Sequence, residues 1–384
     1  EWDEVRCPTC STEGIAARIC KKCGAAIEAS TLPINDTHTP GDWITDESGD
    51  YRYTVCKECG IVTAREWLCE ASLTISAHSC SFHNNLTLNY YADAALADFY
   101  QSIRLVLEKD IYDKDGNKTV TVSELIGERV ERDGKQYLCF HFADIAAAQL
   151  GSDVRARLYA ERDGVEYHGP LDIYNLKTYA YNRLEASESA EFRTLMVDLL
   201  NYCAAAQTYF GIRTDALVNA ELTDAQRALA SGMPAVSGIA SLTELDGASA
   251  ELIGNSVLFD SRVVLKTYFR LDGVEDKTNV ALRIRMTEAD GTVREYRISY
   301  AQFDCNAAGV YSARWDILAA SQFRNRLELT VLNGDTEISG TYTYSVESYV
   351  ANRLAASANE EFRALLETMM KYSDAASAYL QKGN

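Results

Sequence analysis

The sequence predicts a multi-domain α+β protein, in which a small cysteine-rich head precedes two β-sandwich modules that each end in a helical pair. Three observations support this prediction. Eight of the eleven cysteines lie within the first 80 residues, and a long segment recurs about 170 residues further along the chain. Each copy of that segment changes from strand-like alternation to helical spacing. The 384 residues suffice for two or three domains with separate cores.

Domain boundaries follow from the same patterns. The head divides into two halves, at about 1–42 and 43–68, and a linker is predicted where Gly232-Met233-Pro234 and Ser237-Gly238 occur. The predicted parts are the head at 1–68, the first module at 69–216, the linker at 217–246 and the second module at 247–384.

Composition and charge restrict the class of partner. Hydrophobic residues make up 47% and charged residues 24% of the chain, as in soluble globular proteins. The formal net charge of -19 argues against a nucleic-acid partner, because phosphate binding requires clustered lysine and arginine. No apolar run approaches the roughly 18 residues of a spanning helix, so we predict no membrane-spanning segment.

Three Cys-x-x-Cys pairs in the head predict metal binding. They are Cys7-Pro8-Thr9-Cys10, Cys20-Lys21-Lys22-Cys23-Gly24 and Cys56-Lys57-Glu58-Cys59-Gly60. The two-residue spacer lets both sulfurs face one point, and a following glycine accepts the positive φ of the turn. A segment this short has too little core to fold unaided, so metal is predicted to replace that core. Disulfide bonds are the rival interpretation, because an oxidising exterior would pair the same cysteines.

Eight candidate ligands suffice for two four-coordinate structural zinc ions. They are Cys7, Cys10, Cys20, Cys23, His38, Cys56, Cys59 and Cys69. Their partition is open at this point. One assignment joins Cys7, Cys10, Cys20 and Cys23 and leaves His38 with Cys56, Cys59 and Cys69. The other joins Cys10, Cys20, Cys23 and His38 and leaves Cys7 with Cys56, Cys59 and Cys69.

The head resembles a known family of short repeats. The matching residues are Thr9-Cys10-Ser11-Thr12-Glu13-Gly14, Cys20-x-x-Cys23-Gly24, Leu32-Pro33 and Thr37-His38-Thr39-Pro40-Gly41-Asp42-Trp43. They are similar to TCTEEG, CxxCG and GHxxGxW repeats of zinc-ribbon-like type, found in tandem in secreted and surface proteins of anaerobic gut Firmicutes. The resemblance implies that one Cys, the CxxC pair and the His form a metal cluster, which favours the second assignment. Cys7 is extra, and the second half lacks a leading Cys before Cys56.

The body consists of one module written twice. Residues 174–209 and 344–379 align without a gap, and recurring positions include Tyr202 with Tyr372 and Phe192 with Phe362. In its front half, period-two alternation and turn pairs such as Asp133-Gly134 predict about six antiparallel strands per copy, arranged as a sandwich. The back half shows three- and four-residue spacing, which predicts a short helix followed by a long amphipathic one. Cys139 and Cys203 are expected to be small buried residues.

The module also resembles one common in the same bacterial surface proteins, through Leu88-Asn89-Tyr90-Tyr91 and the run from Leu199 to Phe210, which is similar to LLNYGAAAQTYF. Cys203 replaces the usual glycine of that run. The resemblance implies a secreted or cell-surface bacterial protein and carries no assigned activity.

These observations predict a protein that is not an enzyme. No Gly-x-Ser-x-Gly, His-Glu-x-x-His or glycine-rich phosphate loop occurs in the sequence. The first functional hypothesis is a binding or adhesion module for a glycan or a host or surface protein, because 23 tyrosines and four tryptophans offer faces that stack on sugar rings. The alternative is a passive spacer or assembly element of a larger surface protein. A hydrolase with an unrecognised site is the remote alternative.

Overall fold

The fold is a mixed α+β arrangement of several antiparallel sheets and a smaller helical part, which confirms the predicted class. The structure is a computed structural model that describes residues 2–82, 86–186, 189–233, 235–237, 240–259 and 263–382. Pro234 and Gly238, which helped to predict the linker, lie outside these residues. Within the described part, no helix is long and apolar enough to cross a membrane.

The amino-terminal part consists of two small antiparallel sheets, with orders β1-β2-β3 and β4-β5-β6. Its strands are β1 (Trp2–Arg6), β2 (Gly14–Ile19), β3 (Ala26–Leu32), β4 (Ile44–Thr45), β5 (Tyr51–Val55) and β6 (Val62–Trp67). Few of their side chains are buried, as expected for sheets too small to enclose a core.

The first copy of the repeat continues with strands and then two long helices. Its elements are β7 (Ala77–Ser81), β8 (Thr87–Asp93), α1 (Leu96–Phe99), β9 (Ser102–Tyr112), β10 (Lys118–Ile126), β11 (Glu128–Arg132), β12 (Lys135–Phe142), a 3-10 helix (Ala147–Gln149), β13 (Val154–Arg162), β14 (Val165–His168), β15 (Asp172–Tyr174), α2 (Leu176–Ala186) and α3 (Ala190–Phe210).

The second copy has a similar series of elements, which differs in its short helices and in the additional strand β16. After α4 (Asp224–Arg227) follow β16 (Ser241–Thr243), β17 (Ala250–Phe259), β18 (Val263–Leu271), β19 (Val280–Thr287), β20 (Val293–Ser299), a 3-10 helix (Tyr300–Gln302), β21 (Phe303–Cys305), β22 (Tyr311–Trp315), a 3-10 helix (Ala320–Gln322), β23 (Arg326–Asn333), β24 (Thr336–Glu337), β25 (Thr341–Tyr344), α5 (Val346–Ala356) and α6 (Glu360–Gln381).

Strand order repeats between the two copies. The first copy contains the sheet β7-β8-β12-β11 and a sheet ordered β10-β9-β13-β14, with β15 also paired to β13. The second contains β17-β18-β22-β21 and a sheet in which β20, β19 and β23 are neighbours and β24 and β25 both pair with β23. Each strand of the first copy thus has a counterpart ten numbers later. Nine described strands of each copy correspond in this way, more than the six or so that alternation predicted, and β16 is additional in the second copy.

Alternating burial explains why these segments are strands. In β19 every second side chain is buried, from Val280 through Leu282 and Ile284 to Met286. The sequence alternates apolar and polar residues in the same register, which places one face toward a core. The predicted Asp-Gly turns are also present, because Asp133 and Gly134 both have positive φ and connect β11 to β12.

The chain forms two compact units. One consists of Glu1–Ile75, Ala92–Leu105 and Arg157–Asp172, and the other of Ser76–Tyr91, Val106–Ala156 and Ile173–Asn384. The second unit therefore contains the long helices of both copies. The domain boundaries predicted from the sequence remain predictions.

Helices α3 and α6 pack against each other through reciprocal aromatic contacts. Tyr202 stacks on Tyr372, its counterpart in the repeat, with ring centroids 5.7 Å apart. Phe192 contacts Tyr379 at 5.0 Å, and Tyr209 contacts Phe362 at 5.2 Å. Phe192 corresponds to Phe362 and Tyr209 to Tyr379, so the two contacts exchange partners. Such reciprocity is the signature of a two-fold relation between the copies.

The segment between the copies is partly ordered by side-chain burial. Val218 and Leu222 are buried, and Gln207 of α3 accepts a hydrogen bond from the Val218 N–H at 2.9 Å. Further along, β16 pairs with β25. The 217–246 segment predicted as a linker thus contains a helix and a strand.

We expect Tyr202 and Tyr372 to be energetically coupled. Each single change to alanine should lower the free energy of unfolding, and a double-mutant cycle should give a coupling of about 0.5–1.5 kcal/mol, because stacked rings contribute beyond their burial. Urea unfolding of the two single variants and the double variant measures this coupling. Tyr202 combined with Tyr311, which stacks on Phe269 instead, is the control and should be additive. Additivity of Tyr202 with Tyr372 would contradict the reciprocal packing.

Candidate metal centre

Backbone pairing brings His38 to the Cys56-x-x-Cys59 segment. The Lys57 N–H donates to the Thr39 carbonyl at 3.0 Å, and the Gly41 N–H donates to the Val55 carbonyl at 2.8 Å. Pro40 and Cys56 form an isolated antiparallel bridge between these bonds. His38, which precedes Thr39, therefore lies next to the turn that contains Cys56 and Cys59.

Cys56 and Cys59 occupy a tight turn between β5 and β6. The Gly60 N–H donates to the Cys56 carbonyl at 2.9 Å, and the Cys56 N–H donates to the Ile61 carbonyl at 2.8 Å. Gly60 has a φ of 74°, which is why a glycine follows the second cysteine. The N–H groups of Glu58 and Cys59 point toward the Cys56 sulfur and hydrogen-bond it. This is the geometry predicted for a metal-binding cysteine pair.

Four side chains converge at this turn. The ligand atoms of Cys10, His38, Cys56 and Cys59 all lie within 4.8 Å of one another. Cys10 Sγ is 3.5 Å from Cys56 Sγ, and Cys59 Sγ is 3.4 Å from His38 Nδ1. Zinc–sulfur bonds of about 2.3 Å and zinc–nitrogen bonds of about 2.0 Å place tetrahedral ligands about 3.5–3.8 Å apart. The spacing of the four atoms therefore fits a tetrahedral metal ion, and the group can bind one.

Two thiols of this group, those of Cys56 and Cys10, have strongly shifted pKa values. Burial opposes ionisation of Cys56, which is 2% exposed. Nevertheless, the N–H groups of Cys59 and Glu58, followed by His38 and Cys10, lower the pKa of Cys56 to about 6. Burial, and then the neighbouring Cys56 and Cys59 side chains, raise the pKa of Cys10 to about 12. Closely spaced thiolates repel each other, so a divalent cation would stabilise the ionised form of the whole set.

The group differs from both predicted partitions, which each joined Cys10 with Cys20 and Cys23. Gly14 pairs with Leu32 at one end of the first sheet, and Ile19 pairs with Ala26 at the other. Cys10 precedes the Gly14 end, whereas Cys20 and Cys23 form the turn at the opposite end. Six residues of β2 at about 3.3 Å each separate these ends by about 20 Å. The sequence did not reveal this separation, because residue spacing alone does not give strand length.

Cys7 also lies at the Gly14 end of the first sheet, directly after β1. In the Cys7–Cys10 segment the Thr9 N–H donates to the Thr12 carbonyl at 2.9 Å, a bond that differs from those of the turns at the other two pairs. A Cβ on Gly14 would lie 2.7 Å from the Pro8 ring, so the segment packs Pro8 against that glycine. Cys10 thereby reaches the metal group, which does not include Cys7.

Cys69, the eighth predicted ligand, lies beside a buried ion pair instead. Burial and then the charge of Asp50 raise its pKa. Asp50 forms an ion pair with Arg157 and accepts a hydrogen bond from the Leu171 N–H at 2.7 Å. Arg157 also donates to the Ser48 carbonyl at 2.8 Å. These contacts connect the segment before β5 to β13 and to Leu171, and Cys69 lies beside them rather than in the metal group.

All eleven cysteines lie in the described part of the chain, and none of them forms a disulfide bond. The 3.5 Å between Cys10 and Cys56 sulfurs far exceeds a disulfide bond of about 2.05 Å. Cys139 and Cys203 are buried, as predicted.

Comparison with known proteins gives no further assignment. A scan against protein-family models finds no match, and a search of the curated proteins finds none either.

Replacing Cys59 should remove one metal ion per chain, whereas replacing Cys69 should remove none. Cys59→Ser deletes a sulfur of the converging group, and Cys69→Ser changes a thiol outside it. Native mass spectrometry of both variants and the parent, purified without chelator, measures the metal content. Loss of metal from Cys69→Ser together with retention in Cys59→Ser would contradict the group described here.

Breaking the Asp50–Arg157 pair should destabilise the protein strongly. Asp50→Asn leaves a mostly buried guanidinium without its counter-charge, which typically costs about 3–5 kcal/mol. The matched control is Glu66→Gln, which breaks the exposed Arg52–Glu66 pair and should cost about 0–1 kcal/mol. Urea unfolding compares the two variants, and equal losses would contradict the structural role of Asp50.

Proposed function

We propose that this chain is a non-catalytic carbohydrate-binding module of a secreted or cell-surface bacterial protein, and that a zinc ion orders its head. The observation that carries the proposal is an exposed aromatic and basic surface on β5 and β6. The resemblance of the head and of the Leu199–Phe210 run to bacterial surface proteins supports the location.

Zinc has a structural role in this proposal. Three cysteines and one histidine are ligands typical of zinc, and together they fill all four tetrahedral positions. A catalytic zinc would keep one position for water. Two ligands, Cys10 and His38, come from the first half of the head, and two, Cys56 and Cys59, come from the second. The ion therefore connects two sheets that bury few residues of their own.

Exposed tryptophans support carbohydrate binding by the head. Trp67, Trp43 and Trp2 are 54%, 47% and 45% exposed, whereas Trp315 of the second module is 3% exposed. Many tyrosines of the modules are buried, including Tyr90, Tyr179 and Tyr344. An aromatic surface for a sugar ring is therefore better placed on the small sheets of the head than on the modules.

The β5–β6 surface combines a stacking face with hydrogen-bond donors. Register places Trp67 opposite Tyr51 and Arg65 opposite Tyr53 on one face of the sheet. Tyr51 contacts Trp67 edge-on, with ring centroids 5.5 Å apart, and the Arg65 guanidinium lies 4.6 Å from the Tyr51 ring. Because the rings are tilted rather than coplanar, Trp67 supplies a single stacking position. One such position with an adjacent guanidinium suits one sugar residue.

We further infer that the two sheets of each module face each other as a sandwich. Burial on one face of β13 and β19, and almost continuous burial along β8, supports this arrangement. The helices α3 and α6 then join one module to the other.

The most enzyme-like cluster in the described residues supports the non-catalytic assignment. His141 Nδ1 is 2.7 Å from Asn89 Oδ1, His141 Nε2 is 3.0 Å from Glu128, and Cys139 Sγ is 3.9 Å from His141 Nδ1. A nucleophilic cysteine requires a lowered pKa and access to substrate. Cys139 is buried, and that burial raises its pKa to about 11. We interpret the cluster as cross-strand packing.

A rigid spacer is the second candidate function. The reciprocal aromatic contacts between α3 and α6 favour it, because they fix one module against the other. A spacer requires this rigidity but does not depend on the exposed Trp67.

Substitution of Trp67 distinguishes these functions. A panel of neutral and acidic oligosaccharides is titrated against the full chain while tryptophan fluorescence is followed. At least one should bind, and Trp67→Ala should weaken that binding about tenfold, equivalent to about 1.4 kcal/mol. Trp43→Ala is the matched control, since Trp43 precedes Ile44, which lies opposite Tyr53, and so belongs to the other face. The Arg52 guanidinium lies over one face of the Trp43 ring, 4.7 Å from its centroid.

Trp43→Ala should therefore bind like the parent. Equal weakening by both variants would contradict the stacking position. If no oligosaccharide binds and scattering shows a rigid particle, the spacer is the correct function.

A further inference from the structure

The turn at Cys20 and Cys23 repeats the turn at Cys56 and Cys59 in detail. The Gly24 N–H donates to the Cys20 carbonyl at 2.8 Å, and the Cys20 N–H donates to the Ala25 carbonyl at 2.9 Å. Gly24 has a φ of 72°. The N–H groups of Lys22 and Cys23 hydrogen-bond the Cys20 sulfur, as those of Glu58 and Cys59 do for Cys56. The first pair is thus preformed for metal binding in the same way as the second.

The two turns differ in what completes them. Cys10 and His38 supply the remaining ligands for Cys56 and Cys59. Among the described residues, Cys20 and Cys23 belong to no group of three or more potential metal ligands. Two sulfurs supply only half of a tetrahedral zinc site.

The other amino-terminal cysteines cannot complete this half-site within the sheet. Cys7 follows Arg6, which pairs with Ile15, and Cys10 lies beyond it in the same direction. Both precede the Gly14 end of β2, about 20 Å along the strand from Cys20. Two further ligands therefore have to come from outside this sheet.

The surroundings of the half-site are open and basic. Residues 21–30 are all exposed, and the turn carries Lys21 and Lys22. A zinc ion bound by four thiolates has a net charge of −2, because each thiolate contributes one negative charge. Two copies of the turn would place four lysines beside this complex. The positive charges of the lysines would stabilise the negative charge of the zinc–thiolate complex. The equivalent turn of the second half carries Lys57 and Glu58, whose charges cancel, so it has no excess of positive charge.

We propose that Cys20 and Cys23 form half of an intermolecular zinc site, which a second copy of this chain completes with the same two cysteines. Zinc then joins two chains through their first sheets. The surface needed is small, because metal–thiolate bonds rather than buried area hold the pair together.

Addition of zinc to the reduced full-length chain tests the proposal. The protein is purified with its first site loaded and kept in a phosphine reductant, and zinc or cobalt(II) is then added. Analytical ultracentrifugation should show conversion from monomer to dimer with uptake of one further ion per pair of chains. Cobalt(II) in the new site should give the absorption of four thiolates, and a chelator should restore the monomer.

Cys23→Ser should stay monomeric and take up no further ion, while it keeps the metal of the first site and the thermal stability of the parent. Cys305→Ser, which changes another exposed cysteine, is the matched control and should form dimers like the parent. Uptake of a further ion without dimerisation would overturn the proposal. So would a zinc-dependent dimer of Cys23→Ser, or a parent chain that takes up no further ion.

Discussion

A short stretch of backbone pairing determines which side chains meet in the head. The bonds between residues 39–41 and 55–57 fix His38 against the Cys56–Cys59 turn, and the 3.0 Å bond from the Asn35 N–H to the Thr9 carbonyl holds the Cys10 segment nearby. Neither small sheet buries enough apolar surface to be stable alone. The contacts between the two sheets are therefore needed to stabilise this region. The four converging ligands lie at these contacts.

Sequence reasoning identified the chemistry of the head but not its geometry. The spacing of the cysteines and the glycine after each pair predicted the two turns, because both depend on local backbone conformation. The grouping of Cys10 with His38, Cys56 and Cys59 depends instead on the length of β2, which puts Cys20 at the far end of the sheet. The basic and aromatic face around Trp67 was missed for a related reason. Tyr51-x-Tyr53 and Arg65-x-Trp67 have the alternation of ordinary strands, and only the exposure of Arg65 and Trp67 distinguishes this face from a core.

In the body, local signals predicted more than long-range ones did. Asp-Gly turns, alternating burial and helical spacing depend on neighbouring residues, and each matches the structure. Ser189 caps α3 by accepting a hydrogen bond from the Phe192 N–H. The short strands β14, β15, β24 and β25 were not resolved by alternation, since two to four residues are too few to show a period. The packing of α3 on α6 was also not predicted, because both helices have the same pattern and nothing in it specifies a partner.

The aromatic faces of α3 and α6 are complementary to each other, as shown by the exchanged contacts of Phe192, Tyr209, Phe362 and Tyr379. A surface that matches its own copy would associate with another molecule if only one module were present. Duplication turns that concentration-dependent association into a contact within one chain, at an effective concentration set by the connecting segment. Such modules therefore pair through their long helices, two modules to a pair. An odd number of modules in one chain would leave the aromatic face of one long helix unpaired.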